Sequence, residues 1–296
     1  MGKRNRQDRT VGRRDGGRTD GAPVIGGRFD IDTGFCEVVR DETGFLLKIN
    51  GVESSHIHDD PRVLEFEYMR WFAELIDERI DDGTSLRALH LGGAACTMAR
   101  YLASVHPQAR QVAVEIDGKL SEYVREWFDL PRSPFLRIRV GDARDVVETL
   151  SPDSRDVVLR DVFDGMFTPA RMTTVEFVAA VHRVLSPGGL YVINCGDSPD
   201  LRVARSEAAT IGDAFENLAI IADSAMLKGR RRGNIVIAGS DAPIGQSPLI
   251  ARNLLGGSTP AQLLLGDQAR AFAKAATKVR DAGLPAAGAA RHLRST

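Results

Sequence analysis

The chain has 296 residues, 43% of them hydrophobic and 27% charged, with a formal net charge of −1, enough for one large α/β domain, a smaller companion and a sizeable core. So even a charge balance offers no general electrostatic attraction to nucleic acid or a membrane surface, and no apolar run approaches the roughly 18 residues that would span a bilayer. The three cysteines, Cys36, Cys96 and Cys195, are scattered and odd in number, which fits buried free thiols rather than a disulfide framework or a CxxC-type zinc site.

Residues 1–25 open with "MGKRNRQDRTVGRRDGGRTD" and are expected to form a disordered basic tail. Arg13-Arg14 precedes no apolar stretch, so no export signal is expected. Residues 26–60 change character: short apolar or alternating runs are separated by Asp-Glu-Thr-Gly and Asn-Gly. This predicts a small antiparallel β domain of about three strands ending near His58. The stretch "DDPRVLEFEYMRWFAELIDERI" carries Leu64, Tyr68, Phe72 and Ile76 at helical spacing behind acidic residues, the pattern of an amphipathic helix.

From Ser85 onward strands alternate with helices. The strands are "SLRALHLGG", "RQVAVEID", "LRIRVGDAR", "SRDVVLRDVFD" and "LYVINCGD", and the region closes with the pair "NLAIIADSAML" and "NIVIAGSD" around the turn "KGRRRG". Such alternation implies a parallel sheet covered on both faces, with an antiparallel hairpin at its end. The expected fold is therefore α/β, a Rossmann-like seven-stranded sheet in the order of class I S-adenosylmethionine-dependent transferases, spanning residues 61–242. Residues 243–296 are expected to be a C-terminal extension, helical from about Pro260 to Ala282.

In open sheets of this kind ligands bind beyond the carboxyl ends of the strands. The first strand ends in Gly92-Gly93-Ala94-Ala95, small residues that let a ligand approach the backbone beside a helix N-terminus. The second ends in Glu115, an acid about 20 residues beyond the glycines, where a carboxylate can accept from both ribose hydroxyls. At the third, Asp142 with Ala143 stands where an adenine amino group would lie, or else Asp142 caps the next helix. The fourth ends in "RDVFDGMFTP", where Asp161 and Asp164 can hold a cationic substrate and accept a proton. His56 and His58 face the same side of a strand; they suit the wall of a substrate pocket, with metal ligation as the alternative. The arginines of "KGRRRG" read as a solvated turn, with anion contact as the alternative.

These segments together resemble the spermidine synthase (polyamine aminopropyltransferase) family. The likeness runs from about Gly27 to Ser240 and includes "NGVESSHI", "DDPRVLEFEYM", "LHLGG", "VEID", "VGDAR", "RDVFDGMFTP" and "VHRVLSPGGLYVIN". The resemblance implies that Glu115 meets the ribose and Asp142 the adenine of decarboxylated S-adenosylmethionine, with Gly92, Gly93 and Ala143 lining that cosubstrate. It makes Asp164 the catalytic aspartate, and gives Asp161 and Tyr68, with His56 nearby, to the acceptor amine. A polyamine substrate, no tightly bound cofactor, no metal, and a homodimer in the cytoplasm follow from the same likeness. The chain departs from the pattern at four places. Ala94 and Ala95 stand where the family's loop carries an aspartate, Ser54 where it has glutamine, and Gly165 where it has proline, while "NCGDSPD" lacks the usual aromatic residues. Asp59, Asp60 and Asp197 are candidates to replace the missing acid. The uncharged loop keeps two further readings open: a methyltransferase using intact S-adenosylmethionine, and a non-catalytic adenosyl-binding protein.

Overall fold

The computed structural model describes residues 25–79, 85–257 and 260–284; the tail expected over residues 1–25 lies outside them, except for Ile25. The N-terminal unit is a meander of four antiparallel strands, β1 (Gly27–Ile31), β2 (Gly34–Arg40), β3 (Gly44–Ile49) and β4 (Val52–His58). It has one strand more than the turn signals suggest, because Asp32 and Thr33 make a two-residue reversal between β1 and β2. Asn50 and Gly51 both take positive φ between β3 and β4, the backbone twist that suits a tight hairpin.

The first helix, α1 (Glu67–Asp77), starts after Leu64, the first residue of the expected helical spacing. Asp60 holds Arg62 through both its amide and its guanidinium, keeping the intervening chain in a turn. The main unit then runs β5 (Arg87–Leu91), α2 (Thr97–Val105), β6 (Arg110–Glu115), α3 (Gly118–Trp127), β7 (Leu136–Val140), α4 (Ala143–Thr149) and β8 (Arg155–Arg160). After a 3₁₀ turn at Ala170–Met172 come α5 (Val175–Val184), β9 (Leu185–Asp197), α6 (Arg202–Ala214), β10 (Asn217–Asp223), α7 (Ser224–Leu227) and β11 (Gly233–Ser240). The chain continues through α8 (Pro248–Gly256), β12 (Ala261–Leu265) and α9 (Gly266–Ala273).

The large sheet has the order β12-β10-β11-β9-β8-β5-β6-β7. β9, β8, β5, β6 and β7 are parallel, and β11 is inserted antiparallel between β9 and β10. This is the expected seven-strand order with an eighth strand added. That strand corrects the helical reading of residues 260–282: Ala261–Leu265 pairs antiparallel with β10, and the helix begins only at Gly266. The edge of β10 otherwise leaves a row of backbone donors and acceptors unpaired, and satisfying them outweighs the local preference of a short Gln-Leu-Leu-Leu run. Strand residues alternate between two cores. Ala88, Leu159, Leu190 and Val192 face α1, α2 and α8, while Leu89, Val158, Tyr191 and Ile193 face α5 and α6.

A third cluster joins the two sheets, with Cys36, Val38, Leu47 and Ile57 packed against Leu120, Val124, Phe128 and Leu136. Its polar pin is Asp117, the buried N-cap of α3. The carboxylate accepts from Leu120 N at 2.8 Å and from the amide and hydroxyl of Thr33 at 2.7 and 2.8 Å. Replacing Asp117 with Ala removes the cap and both hydrogen bonds from the exposed Thr33. Chemical denaturation should then show a loss of about 2 kcal/mol, with faster amide exchange at Thr33. An unchanged midpoint would mean that the β meander docks without this carboxylate.

Candidate active site

A cleft of about 800 Å³ opens at the carboxyl ends of β5, β6, β7, β8 and β9 and is floored by the loops that follow them. Its centre is the seam between β5 and β8, where the winding of the sheet reverses. Gly92 takes φ +86° there, and a side chain on it would collide with the carbonyl of Asp161. Leu91 in turn accepts from the Asp161 amide at 2.8 Å. The ends of the first and fourth parallel strands are thus locked together only because position 92 is glycine.

On one side of this seam lies a cradle built by Glu115. Its Oε2 accepts from Ala94 N at 2.8 Å and its Oε1 from Asp117 N at 3.1 Å. Burial pushes the Glu115 carboxyl upward, while the amides of Ala94 and Asp117 act in the opposite direction. Ala94 and Cys96 both adopt left-handed backbone, φ +38° and +59°, a conformation that costs a non-glycine residue on the order of 1 kcal/mol. The loop amide expected to face a ligand is therefore already spent on orienting Glu115. Each oxygen of that carboxylate keeps a lone pair for a further donor.

Asp142 combines its two readings. It caps α4 through Arg144 N at 2.9 Å and Asp145 N at 3.2 Å, and with Ala143 it lines the cleft. Its other oxygen is 3.0 Å from Arg171 Nη1, and Arg171 reaches Asp145 as well. Arg171 escaped the sequence reading because nothing in "TPARMTT" marks it as a partner for an acid 29 residues earlier.

On the other side of the seam, Asp161 receives Tyr68 Oη at 2.8 Å and Asn194 Nδ2 at 3.0 Å. Burial drives the Asp161 carboxyl upward, opposed by the bonds from Tyr68 and Asn194 and by the charge of Arg160. Burial also raises Tyr68 far above the usual phenol range, with Asp161 adding to the effect. The structure thus brings together Tyr68 and Asp161, 93 residues apart. Asn194 was missed, though a polar residue within the apolar run "YVINC" is the kind of signal that marks a buried partner. Asp164 sits farther out on the same loop, where its amide donates to Phe167 O at 2.8 Å and Gly165 takes φ +66°. Phe163, Met166 and Phe167 give this loop an apolar, solvent-facing surface over the cleft.

Several expected residues stand elsewhere. His56 is not on the cleft wall: its Nε2 lies 2.9 Å from Asp41 Oδ2, and Ser54 and Ser55 line the cleft in its place. Strand alternation turns the histidine to the opposite face of β4 from Ser55, and the register shift between Leu47 and Lys48 leaves Ser54 as an extra residue that reaches the cleft as well. His58 Nδ1 meets the backbone of Asp60, and no cluster of three metal-ligating side chains occurs among the described residues. Asp59 pairs with Arg40 and Asp60 with Arg62, both away from the cleft. Asp197 does line it, but its oxygens already accept from Ser198 N and Ala204 N. Of the basic turn, Arg231 folds back onto Asp223 at 2.5 Å, and Arg232 reaches the cleft rim beside Met166.

The strand order and the glycine-to-acid cradle define a class I S-adenosylmethionine-type transferase fold. The chain is 49% identical to a probable spermidine synthase from Corynebacterium glutamicum, over 89% of this chain and 98% of that one, with a TM-score of 0.84. The chain belongs to the spermidine synthase (polyamine aminopropyltransferase) family. A probable polyamine aminopropyl transferase of Bifidobacterium longum is 33% identical over 132 residues, 44% of this chain and 29% of that protein. A polyamine aminopropyltransferase of Chromobacterium violaceum is 33% identical over 144 residues, 48% and 54% respectively. The matches thus span well under two thirds of these curated relatives. Spermidine synthase from Thermotoga maritima, 17% identical over 74% of this chain and 72% of that one with a TM-score of 0.53, shares the fold. No family model matches the sequence.

A carboxyl group whose pKa is raised by folding stabilises the protein most at low pH and loses that contribution as pH rises through the raised value. An Asp161→Asn variant removes the cost of ionising this group. At neutral pH it should unfold roughly 2–4 °C above the parent protein. The difference should vanish in acid, where the parent's Asp161 is protonated too. A thermal scan series between pH 4 and pH 8 checks this, and a variant less stable at every pH contradicts it.

Proposed function

We propose that this protein is an aminopropyltransferase of polyamine biosynthesis, moving the aminopropyl group of decarboxylated S-adenosylmethionine to a putrescine-like diamine. The amine nitrogen attacks the carbon beside the sulfonium; the C–N bond forms as the C–S bond breaks, and sulfur keeps the electron pair, leaving methylthioadenosine. The sulfonium supplies the leaving group, so the protein's tasks are to align two partners and accept one proton.

The observation that carries this reading is the carboxylate of Asp161, desolvated and held by two neutral donors, Tyr68 and Asn194, at the seam next to the Glu115 cradle. A buried carboxylate with neutral hydrogen-bond partners is suited to a cation, and a diamine end is one. Asp164, three residues on, is our candidate for the proton acceptor. Glu115 is assigned to the ribose and Asp142, Ala143, Gly92 and Gly93 to the rest of the adenosyl group. Following the family likeness, the working form is a homodimer in the cytoplasm; no described helix is long and apolar enough to cross a membrane.

Calorimetry with S-adenosylmethionine and its decarboxylated form, each with and without putrescine, tests the assignment. The decarboxylated form should bind more tightly, and putrescine should strengthen it. Preference for the intact cosubstrate with no response to diamines would instead favour methyl transfer. In the coupled assay, Asp164→Asn should lower kcat about 10²–10⁴-fold with adenosyl binding unchanged. Glu115→Gln should weaken that binding about 10- to 100-fold, the loss expected for charge-assisted hydrogen bonds.

A further inference from the structure

Arg160 is the largest wholly buried side chain among the described residues. It immediately precedes Asp161 and points to the opposite face of β8, into the core shared with α5 and α6. Its Nη1 donates to the carbonyl of Met172 at 2.6 Å, and its Nη2 lies 2.6 Å from Glu207 Oε2. Glu207 comes from α6 and is itself buried; the thiol of Cys195 on β9 faces it. Arg160 Nε and the Tyr191 hydroxyl beside it have no hydrogen-bond partner.

An ion pair this deep is rarely a stability device. Taking both charges out of water costs more than their attraction returns unless every donor is satisfied, and apolar residues of the same volume often serve the core as well or better. What the pair does have is position. Loop 161–172 leaves β8 at Asp161, carries Asp164 at its tip and returns at Met172, whose carbonyl Arg160 holds. Glu207 fixes the guanidinium in turn from α6, whose first turn, at Arg202 and Val203, lines the same cleft.

We propose that Arg160 and Glu207 are positioning residues: by gripping the Met172 carbonyl they close loop 161–172 into a fixed hoop and set where Asp161 and Asp164 stand for the reaction. A guanidinium suits this task because its planar fork reaches a carboxylate and a carbonyl at once. A lysine ammonium in the same core offers a single point of charge. Neither residue touches the cleft, so their grip on the site runs through loop geometry; the charge of Arg160 also acts on Asp161 through the field, and Arg160→Lys, which keeps a positive charge there, separates the two effects.

The paired variant Arg160→Met/Glu207→Met removes both buried charges while keeping volume. Arg160→Lys keeps a charge for Glu207 and serves if the pair fails to fold. In each, hydrogen–deuterium exchange at amides 162–171 should accelerate about tenfold or more, while the strand amides of β5 and β9 exchange as in the parent. The kinetic readout rests on the aminopropyl-transfer reading. There kcat should fall by about tenfold to a hundredfold, the cost of ångström-scale misplacement, with KM for the adenosyl cosubstrate within about twofold. Unchanged exchange in the loop of a folded variant overturns the tether, and faster exchange with unchanged kcat overturns its role in positioning. A parent protein that transfers no aminopropyl group overturns the reading of function instead, and the exchange result then decides the tether alone.

Discussion

Much of this molecule follows from one close approach, the Asp161 carbonyl lying where a side chain of residue 92 would have to be. The contact holds the ends of β5 and β8 at the reversal of the sheet, and it forces the first loop to turn away sharply, with positive φ at Gly92, Ala94 and Cys96. That turn presents Ala94 N to Glu115, two strands from Asp161. One contact therefore sets the spacing between the carboxylates of Glu115 and Asp161. A transferase that aligns two ligands needs that spacing fixed more than it needs any additional functional group.

The electrostatics divide along the same seam. Asp142 is neutralised by Arg171, and the surface acids Asp59 and Asp60 by their own arginines. Glu115 and Asp161 are different: their direct partners are amides, a phenol and a carboxamide, and burial raises both. Arg160 reaches Asp161 only through the field, from behind the strand. Carboxylates desolvated in this way gain most from a ligand that brings its own donors or its own positive charge. The sugar hydroxyls and the amine assigned to the site supply one of each.

The alternation of strands and helices, the strand ends and the clustering of Gly92, Glu115, Asp142 and Asp161 were legible in the sequence, because parallel strands buried on both faces leave long apolar runs that stop where function begins. Family likeness put Tyr68 and Asp161 on the same side of the site, but their hydrogen bond was not legible, since no local pattern reports a contact across 93 residues. Arg171 went unread for the same reason, while Asn194 carried a local sign of burial, a polar residue in an apolar run, but none of what it meets. His56 was misread as a cleft residue by its nearness to a strand end, when strand alternation gives the cleft to Ser55. β12 was hidden because its leucines satisfy a helical pattern as well as a strand, and the choice between them is made by the open edge of β10.

The uncharged first loop is the feature that separates this chain from the pattern it resembles, and the packing accounts for part of it. Ala95 and Cys96 are buried, at 0% and 3% exposure, in the cluster that joins the two sheets. A carboxylate at position 95 would enter an apolar core, at a cost of several kcal/mol, and one at position 96 would be desolvated there with only the field of Arg125 to offset it. Ala94 borders the cleft, but its amide is committed to Glu115 and its backbone is already left-handed. The loop contributes shape and one oriented donor, and the acids nearest the seam on its far side, Asp161 and Asp164, stand on the fourth strand and the loop that follows it. Under the proposed function, compensation for the amine's charge then comes from the fourth strand rather than the first. This makes the rigidity of loop 161–172 more important here than in a site whose first loop shares the charge.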